Sequence, residues 1–134
     1  ELRHMLATAL TMDRPTALRY PRGNGYGVPA RKVHEPLAVG RAQVLRQGAD
    51  GLVWAAGTMA TEALRAAERL ATEGGASVTV VDARFVKPLD RELLASQVKQ
   101  GIRVMTVEEN ALAGGFGSAV MEEVAALGVS GVAF

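Results

Sequence analysis

The chain contains no cysteine among its 134 residues. Disulfide bonds, thiolate nucleophiles and cysteine-ligated zinc sites are therefore excluded. Aromatic residues make up only 4% of the sequence, so the hydrophobic core has to be built from alanine, valine and leucine. The two histidines, His4 and His34, lie far apart in the sequence and lack the spacing typical of metal ligands. No metal site is predicted.

Neither sign of charge dominates, since 15 basic and 14 acidic residues leave a net charge of +1. Such a balance creates no bulk field that would attract nucleic acid or an anionic membrane surface, so we expect neither as a partner. The sequence also lacks a signal peptide and any apolar run near the ~20 residues that span a bilayer. We therefore expect a cytoplasmic protein. Hydrophobic residues nevertheless reach 49%, which is enough for a real core.

The stretch SVTVVDARFVKPLD, residues 77–90, organises the rest of the pattern. Its apolar, β-branched run Val78–Val81 is typical of a strand buried on both faces. Pro88 disfavours helical angles at Lys87, and Asp90 stands where a helix N-cap would accept a backbone N–H. A strand, a polar loop and a helix start therefore follow one another. In open α/β sheets, loops of this kind form the edge that carries functional sites.

From residue 38 onward, predicted strands alternate with predicted helices. The strands are expected at 38–46, 52–56, 78–81, 102–107 and 129–134, and the helices at 59–73, 90–99 and 118–127. Such alternation implies right-handed crossovers and a mainly parallel sheet. The turn between the first two strands is too short for a parallel pair. We therefore predict an α/β fold, a three-layer sandwich whose mostly parallel sheet carries one antiparallel edge strand.

The first part of the chain follows a different pattern. Apolar residues at helical spacing predict a helix over 1–10, and residues 16–20 favour a short strand. Three prolines and three glycines within 21–37 indicate a linker, which we place at 23–36. One helix and one strand bury too little surface to fold alone. We expect residues 1–22 to be the last elements of a preceding domain and residues 37–134 to form a further domain, truncated at its end.

One group of residues near a predicted strand end is a candidate for anion binding. The glycine-rich loop Asn110–Ser118 follows a strand and opens a helix, as phosphate-binding loops do. It lacks the third glycine of the dinucleotide fingerprint and the lysine of a P-loop, so tight packing is the favoured interpretation. Glu108 and Glu109 should point to opposite faces of the sheet, one of them towards the loop amides.

A further polar set is Asp82, Arg84 and Lys87, for which a local ion-pair network is favoured over a site. Thr58 is the expected N-cap of helix 59–73. The more specific candidate for a ligand-binding residue is Arg22. It follows a predicted strand and precedes Gly23, where a backbone can approach a ligand. Its planar guanidinium suits phosphate, although a surface arginine in a linker is an equally good interpretation of the spacing.

Four segments together carry a resemblance to a known family. They are TALRYPRGNGYG, GTMATEAL, VDARFVKPLD and TVEENALAGGFGSAVMEEV, and they occur in the order found in deoxyxylulose-phosphate synthases, members of the transketolase superfamily. In that family a subunit has three α/β domains, and thiamine diphosphate and Mg²⁺ lie between the first two. The resemblance implies that residues 1–22 end the middle, pyrimidine-binding domain and that residues 37–134 form a transketolase C-terminal-like domain.

The resemblance also implies a function. The family condenses pyruvate with glyceraldehyde 3-phosphate to 1-deoxy-D-xylulose 5-phosphate and CO₂, for the biosynthesis of isoprenoid precursors, thiamine and pyridoxal. The catalytic, cofactor-binding and metal-binding residues of the family correspond to no position of this chain. Thiamine diphosphate and Mg²⁺ would therefore bind the full-length enzyme and not this fragment, which is expected to be inactive alone. Arg22 occupies the position of the family's arginine that binds the substrate phosphate.

The expected partners are the remainder of the same subunit, a second subunit in a homodimer, and small-molecule substrates. Two alternatives remain open at this point. Residues 37–134 are also compatible with a non-catalytic domain that stabilises a dimer. Some of the motifs are less specific and also resemble the beta subunit of a 2-oxo-acid dehydrogenase. They are GT at a strand end and the later D-x-R and PLD.

Overall fold

The computed structural model of the chain describes residues 1–23, 27 and 34–134. It divides into two compact units, Glu1–Val39 and Gly40–Phe134. The first unit contains helix α1 (Leu2–Leu10). The elements of the second unit are β1 (Gln43–Arg46), β2 (Gly51–Ala55), α2 (Met59–Glu73), β3 (Val78–Asp82), α3 (Arg91–Gln97), β4 (Val104–Val107) and α4 (Phe116–Ala126). None of the helices in the described ranges has the length and hydrophobicity of a membrane span.

The sheet of the second unit has the strand order β1-β3-β2-β4. Strands β3, β2 and β4 run parallel, and Val53 of β2 pairs with Val80 on one side and Met105 on the other. Strand β1 lies antiparallel to β3 at one edge of the sheet. The predicted α/β fold, with its parallel sheet and single antiparallel edge strand, is therefore confirmed.

Helices cover both faces of this sheet and give the predicted three layers. On one face, alanines of α2 pack against Ala55 and Val80. On the other face, side chains of α3 and α4 join the core around Trp54, which is fully buried. The indole Nε1 of Trp54 donates a hydrogen bond to Gln97 Oε1 at 3.0 Å, so its one polar atom is satisfied. Small side chains on α2 let that helix lie close to the strands.

Several predicted strands are shorter in the structure, and the strand expected at 38–46 begins only at Gln43. The last strand, expected at 129–134, is reduced to a single bridge in which Ala133 pairs with Arg103. Gly128 and Gly131 have φ values of +67° and +72°, and these left-handed angles interrupt an extended path. Thr58 stands at the N-cap position of α2 as predicted, but it adopts helical angles and its side chain makes no capping hydrogen bond.

In the first unit, helix α1 is confirmed, but the strand predicted at 16–20 was wrong, because these residues carry no strand pairing. A short β-branched segment forms a strand only when a neighbour satisfies its backbone groups. Most of the linker predicted at 23–36 lies outside the described residues.

Candidate functional site

The parallel strands β2, β3 and β4 all end at one edge of the sheet. Their last residues are Ala55, Asp82 and Val107. The polar candidates of the sequence follow these ends directly, as expected for the carboxyl edge of an α/β sheet. The hydrogen bonds at this edge show which polar groups are available to a ligand and which already bind other parts of the protein.

Glu108 binds the amino-terminal end of helix α4. Its two carboxylate oxygens accept hydrogen bonds from the backbone N–H groups of Phe116 at 2.9 Å and Gly117 at 2.7 Å. The first N–H groups of a helix have no partner within the helix, and the helix dipole favours a negative charge there. The glutamate therefore fills the place that an external anion would occupy.

Glu109 reaches the helix on the opposite face of the sheet. Its Oε2 accepts a hydrogen bond from the hydroxyl of Thr58 at 2.7 Å, immediately before α2 begins. Neighbouring residues of an extended segment project to opposite sides. The two adjacent glutamates thus tie α4 and α2 to the same strand end, and the prediction that they point to opposite faces is confirmed.

The glycines of the loop before α4 allow this close packing. A Cβ atom added at Gly115 would lie 2.8 Å from Glu108 Oε1, and one added at Gly117 would lie 2.6 Å from Thr106 Oγ1. Both contacts are too short for real Cβ atoms, so larger residues would displace the carboxylate or the helix. The geometry favours the packing interpretation of the loop over an anion site, because the amides in question already bind Glu108.

Asp82 and Arg84 interact locally at the end of β3. The Asp82 carboxylate, only 8% exposed, accepts a hydrogen bond from the Arg84 backbone N–H at 3.0 Å. Arg84 has a φ of +54°, and its guanidinium donates to Gln43 Oε1. This turn, in which an aspartate binds the backbone two residues on, is a common local motif. Lys87 is exposed, and the arrangement favours a local network over a binding site.

Asp90 forms the predicted N-cap of α3, and its carboxylate also contacts residues that precede strand β1. Its buried carboxylate accepts N–H groups of Leu93 and Ala42, both at 3.0 Å, and lies 3.4 Å from Arg41 Nη1. Arg41 also donates to Glu92 at 2.6 Å. The hydrogen bond and the charge of Glu92, with the charge of Asp90, raise the pKa of Arg41 above its ordinary value.

Arg22, the predicted phosphate-binding residue, lies in the first unit at an exposed bend. It follows the irregular segment 13–21, and its side chain is accessible to a ligand. Arg22 therefore differs from the polar groups of the sheet edge. Its side chain is exposed, whereas most of those groups already form hydrogen bonds within the protein.

Sequence reasoning missed one contact in the first unit. His4, within the predicted helix 1–10, and His34, within the predicted linker, lie with ring centroids 5.6 Å apart and planes at 88°. His4 Nδ1 lies 2.8 Å from the backbone oxygen of Glu35, and Thr8 Oγ1 accepts the N–H of Leu37 at 2.7 Å. The available signal was that residues 4 and 8 share one face of a helix.

No cluster in the described ranges resembles a metal centre, since these ranges hold no group of three or more His, Asp or Glu side chains suited to an ion. The loop amides at α4, the closest match to a diphosphate-binding loop, already bind Glu108. The described residues therefore do not fit a metal-bound diphosphate cofactor.

Comparison with curated proteins finds 1-deoxy-D-xylulose-5-phosphate synthases among the relatives of the chain. The chain is 48% identical over 132 residues to 1-deoxy-D-xylulose-5-phosphate synthase 1 of Geobacter metallireducens, which covers 98% of the chain. It is 52% identical over 134 residues to 1-deoxy-D-xylulose-5-phosphate synthase 2 of Geobacter sulfurreducens, which covers 99% of the chain. In both cases the match spans 21% of the relative's own length.

A solved structure and a family model both relate the chain to transketolase. A split gene transketolase, described as an inactive beta4 tetramer, superposes with a TM-score of 0.62 at 35% identity. The superposition covers 73% of this chain and 32% of the other. The family model for the C-terminal domain of transketolase matches residues 40–132, and the chain therefore belongs to the transketolase C-terminal domain family.

Proposed function

We propose that the chain is the C-terminal part of a thiamine-diphosphate-dependent synthase. The reaction is the condensation of pyruvate with glyceraldehyde 3-phosphate to 1-deoxy-D-xylulose 5-phosphate, with loss of CO₂. The observation that carries this proposal is the identity of 48% and 52% to two curated synthases over almost the whole chain. The identity extends through the first unit, which the transketolase family model does not match.

In this proposal the chain has three parts. Residues 1–22 close the pyrimidine-binding domain, residues 23–36 link it to the next domain, and residues 37–134 form the transketolase C-terminal-like domain. The intact enzyme is a cytoplasmic homodimer. The carboxylates at the carboxyl edge of the sheet support a structural role for the last domain, because they bind the chain's own helices.

Arg22 is the residue of this chain that we assign to substrate binding. Its exposed guanidinium offers parallel N–H donors that match two oxygens of a phosphate. The role of this arginine is to hold the phosphate of glyceraldehyde 3-phosphate and thereby orient the aldehyde. We assign thiamine diphosphate and Mg²⁺ to the remainder of the subunit.

The intact polypeptide that carries this chain tests the proposal. We expect purified enzyme with thiamine diphosphate and Mg²⁺ to release CO₂ from pyruvate and to form 1-deoxy-D-xylulose 5-phosphate when glyceraldehyde 3-phosphate is present. Product is followed by mass spectrometry, and omission of the cofactor provides the control. Absence of thiamine-dependent product formation from a folded, cofactor-loaded enzyme would refute the proposal and favour a non-catalytic, dimer-stabilising domain.

The same assay separates the synthase from the other enzymatic alternative. The beta subunit of a 2-oxo-acid dehydrogenase would support oxidative decarboxylation of pyruvate without any phosphorylated aldehyde. A carbon–carbon bond formed only with the aldehyde is the outcome expected of the synthase.

A further inference from the structure

The glycine-rich loop ahead of α4 presents one leucine almost entirely to solvent. Leu112 is 95% exposed, and its neighbours Ala111 and Ala113 are exposed as well. The segment from Asn110 to Ser118 contains no charged residue. Single exposed leucines are common on protein surfaces, so the interpretation of Leu112 depends on how the loop is held and on what surrounds it.

Hydrogen bonds tie this loop to the first turn of α4. The hydroxyl of Ser118 donates to the backbone oxygen of Leu112 at 3.2 Å and accepts the N–H of Gly114 at 3.0 Å. Glu108 binds the first amides of the same helix. A side chain on a loop that is already ordered loses less entropy when an interface buries it. The loop therefore presents Leu112 in the way that suits a hydrophobic anchor.

The exposed side of α4 continues this apolar surface. Residues three or four positions apart share one face of a helix, so Met121 and Ala125 follow Ser118 on the side away from the buried Val120 and Val124. Met121 is 50% exposed, and Ala125 is exposed too. We call the following residues the Leu112 surface: Ala111, Leu112, Ala113, Met121 and Ala125.

Helix α2 provides the comparison with a helix that faces water. Its exposed side is charged and contains the ion pairs Arg65–Glu62 and Arg69–Glu73. Helix α4 has no basic residue, and Glu122 is the one charged residue among the exposed positions that the structure describes on it. Few charges together with an exposed methionine are typical of the core of a protein interface. The Leu112 surface is therefore suited to burial against protein.

The charge on α4 selects between two occupants of this surface. A second copy packed on the same surface would bring Glu122 towards its own counterpart, and juxtaposed like charges disfavour an interface. A different protein surface can instead place a basic group there. In two curated relatives the match with this chain spans 21% of the relative's length. The longer polypeptide proposed above therefore has a large surface outside this chain.

We propose that the Leu112 surface docks onto the remainder of the same polypeptide. Leu112 inserts into an apolar pocket there, and a basic side chain lies opposite Glu122. This inference rests on the proposed function, because it requires the chain to be part of a longer synthase. The glycine-rich loop, whose amides already bind Glu108, then acts as an anchor between parts of the subunit.

Hydroxyl-radical footprinting of the 134-residue chain and of the intact polypeptide that carries it tests this proposal. We expect oxidation of Leu112 to be at least about 10-fold slower in the intact polypeptide, because an interface anchor is almost fully removed from water. Leu70, which is 41% exposed on α2, is the matched control and should react at similar rates in both. Equal rates at Leu112 would overturn the proposal.

Two variants of the intact polypeptide show whether Leu112 is the anchor. Leu112→Asp places a charge in the apolar pocket and should raise the oxidation rate of Met121 to that of the 134-residue chain. Leu112→Met stays apolar and should keep Met121 protected. Because Leu112 is exposed, Leu112→Asp should leave the circular dichroism of the 134-residue chain unchanged. Protection of Met121 that persists in Leu112→Asp would contradict the anchor role.

Photo-crosslinking from benzoylphenylalanine in place of Leu112 identifies the occupant. A crosslink within one polypeptide keeps the monomer mass under denaturing conditions, which is the expected result. A doubled mass would assign the surface to a second subunit and overturn the proposal. Neither measurement needs catalysis. A polypeptide that protects Leu112 but forms no 1-deoxy-D-xylulose 5-phosphate would therefore refute the proposed function and support the docking surface.

Discussion

At the scale of single residues, the adjacent pair Glu108 and Glu109 shows how the sheet edge uses its charges. Each carboxylate meets the start of a different helix, one through backbone amides and the other through a threonine hydroxyl. Two neighbouring acids do not form an acid–base pair here, because their carboxylates bind different helix starts. Their role is to attach helices to strand β4.

Glu108→Gln should destabilise the second unit. A carboxylate accepts both amides of α4, whereas a glutamine has a single acceptor oxygen and directs N–H donors at the other amide. We expect a loss of about 1–3 kcal/mol in the free energy of unfolding, measured by urea titration. Glu122→Gln on the exposed side of the same helix is the matched control and should change stability by less than about 0.5 kcal/mol. Equal effects of the two changes would contradict the assigned role of Glu108.

Arg22→Ala tests the substrate contact at the same scale. A charge-assisted hydrogen bond to phosphate contributes roughly 1.5–3 kcal/mol. In the intact enzyme the Michaelis constant for glyceraldehyde 3-phosphate should therefore rise about 10- to 150-fold, with the constant for pyruvate as the internal control. Arg22→Lys, which keeps the charge but loses the planar fork, should fall between wild type and alanine. An unchanged constant would remove Arg22 from the site.

At the scale of elements, helix α3 depends on its cap. With 7 residues it is far shorter than isolated helices that are stable in water. Asp90 accepts the Leu93 amide within the helix and the Ala42 amide ahead of strand β1. One carboxylate thus fixes both the start of α3 and the approach to the antiparallel edge strand.

Asp90→Ala removes that double attachment. The loss of a helix cap together with a second unsatisfied amide should cost about 2–4 kcal/mol of unfolding free energy. Glu92→Ala is the control, since Glu92 is 80% exposed in its ion pair with Arg41 and such pairs contribute about 0–1 kcal/mol. Chemical denaturation of both variants measures the difference. A cost at Asp90 no larger than that at Glu92 would show that α3 is held by packing alone.

The elements differ in how far local sequence predicted them. Helix α2 has the predicted bounds, because a long amphipathic pattern ended by Gly74 defines a helix locally. A strand, in contrast, exists only with a partner, and neither residues 16–20 nor most of 129–134 have one in the described structure.

At the scale of the whole molecule, the second unit should fold independently. It contains the complete four-stranded sheet and both hydrophobic clusters. We expect residues 40–134 alone to unfold in one cooperative transition in urea. The single tryptophan of the chain, Trp54, is fully buried, so its fluorescence reports loss of the core. A gradual fluorescence change without a transition would contradict this expectation, and the full chain is the reference.

The sequence alone determined the α/β class, the antiparallel edge strand, the extent of α2 and the cap at Asp90. These features follow from periodicity, turn length and the chemistry of one helix start, all of which act within a few residues. It also determined the family, because motifs such as RYPRG and VDARFVKPLD occur in the family's order.

Only the tertiary structure decided how the polar groups are used. The glycine-rich loop was compatible with an anion site until Glu108 was seen bonded to its amides, and His4 and His34 showed no relation until the chain returned to α1. Both outcomes depend on contacts between residues that the chain path brings together. Hydrogen bonds and close packing act over a few ångströms in space, so spacing along the sequence could not reveal them.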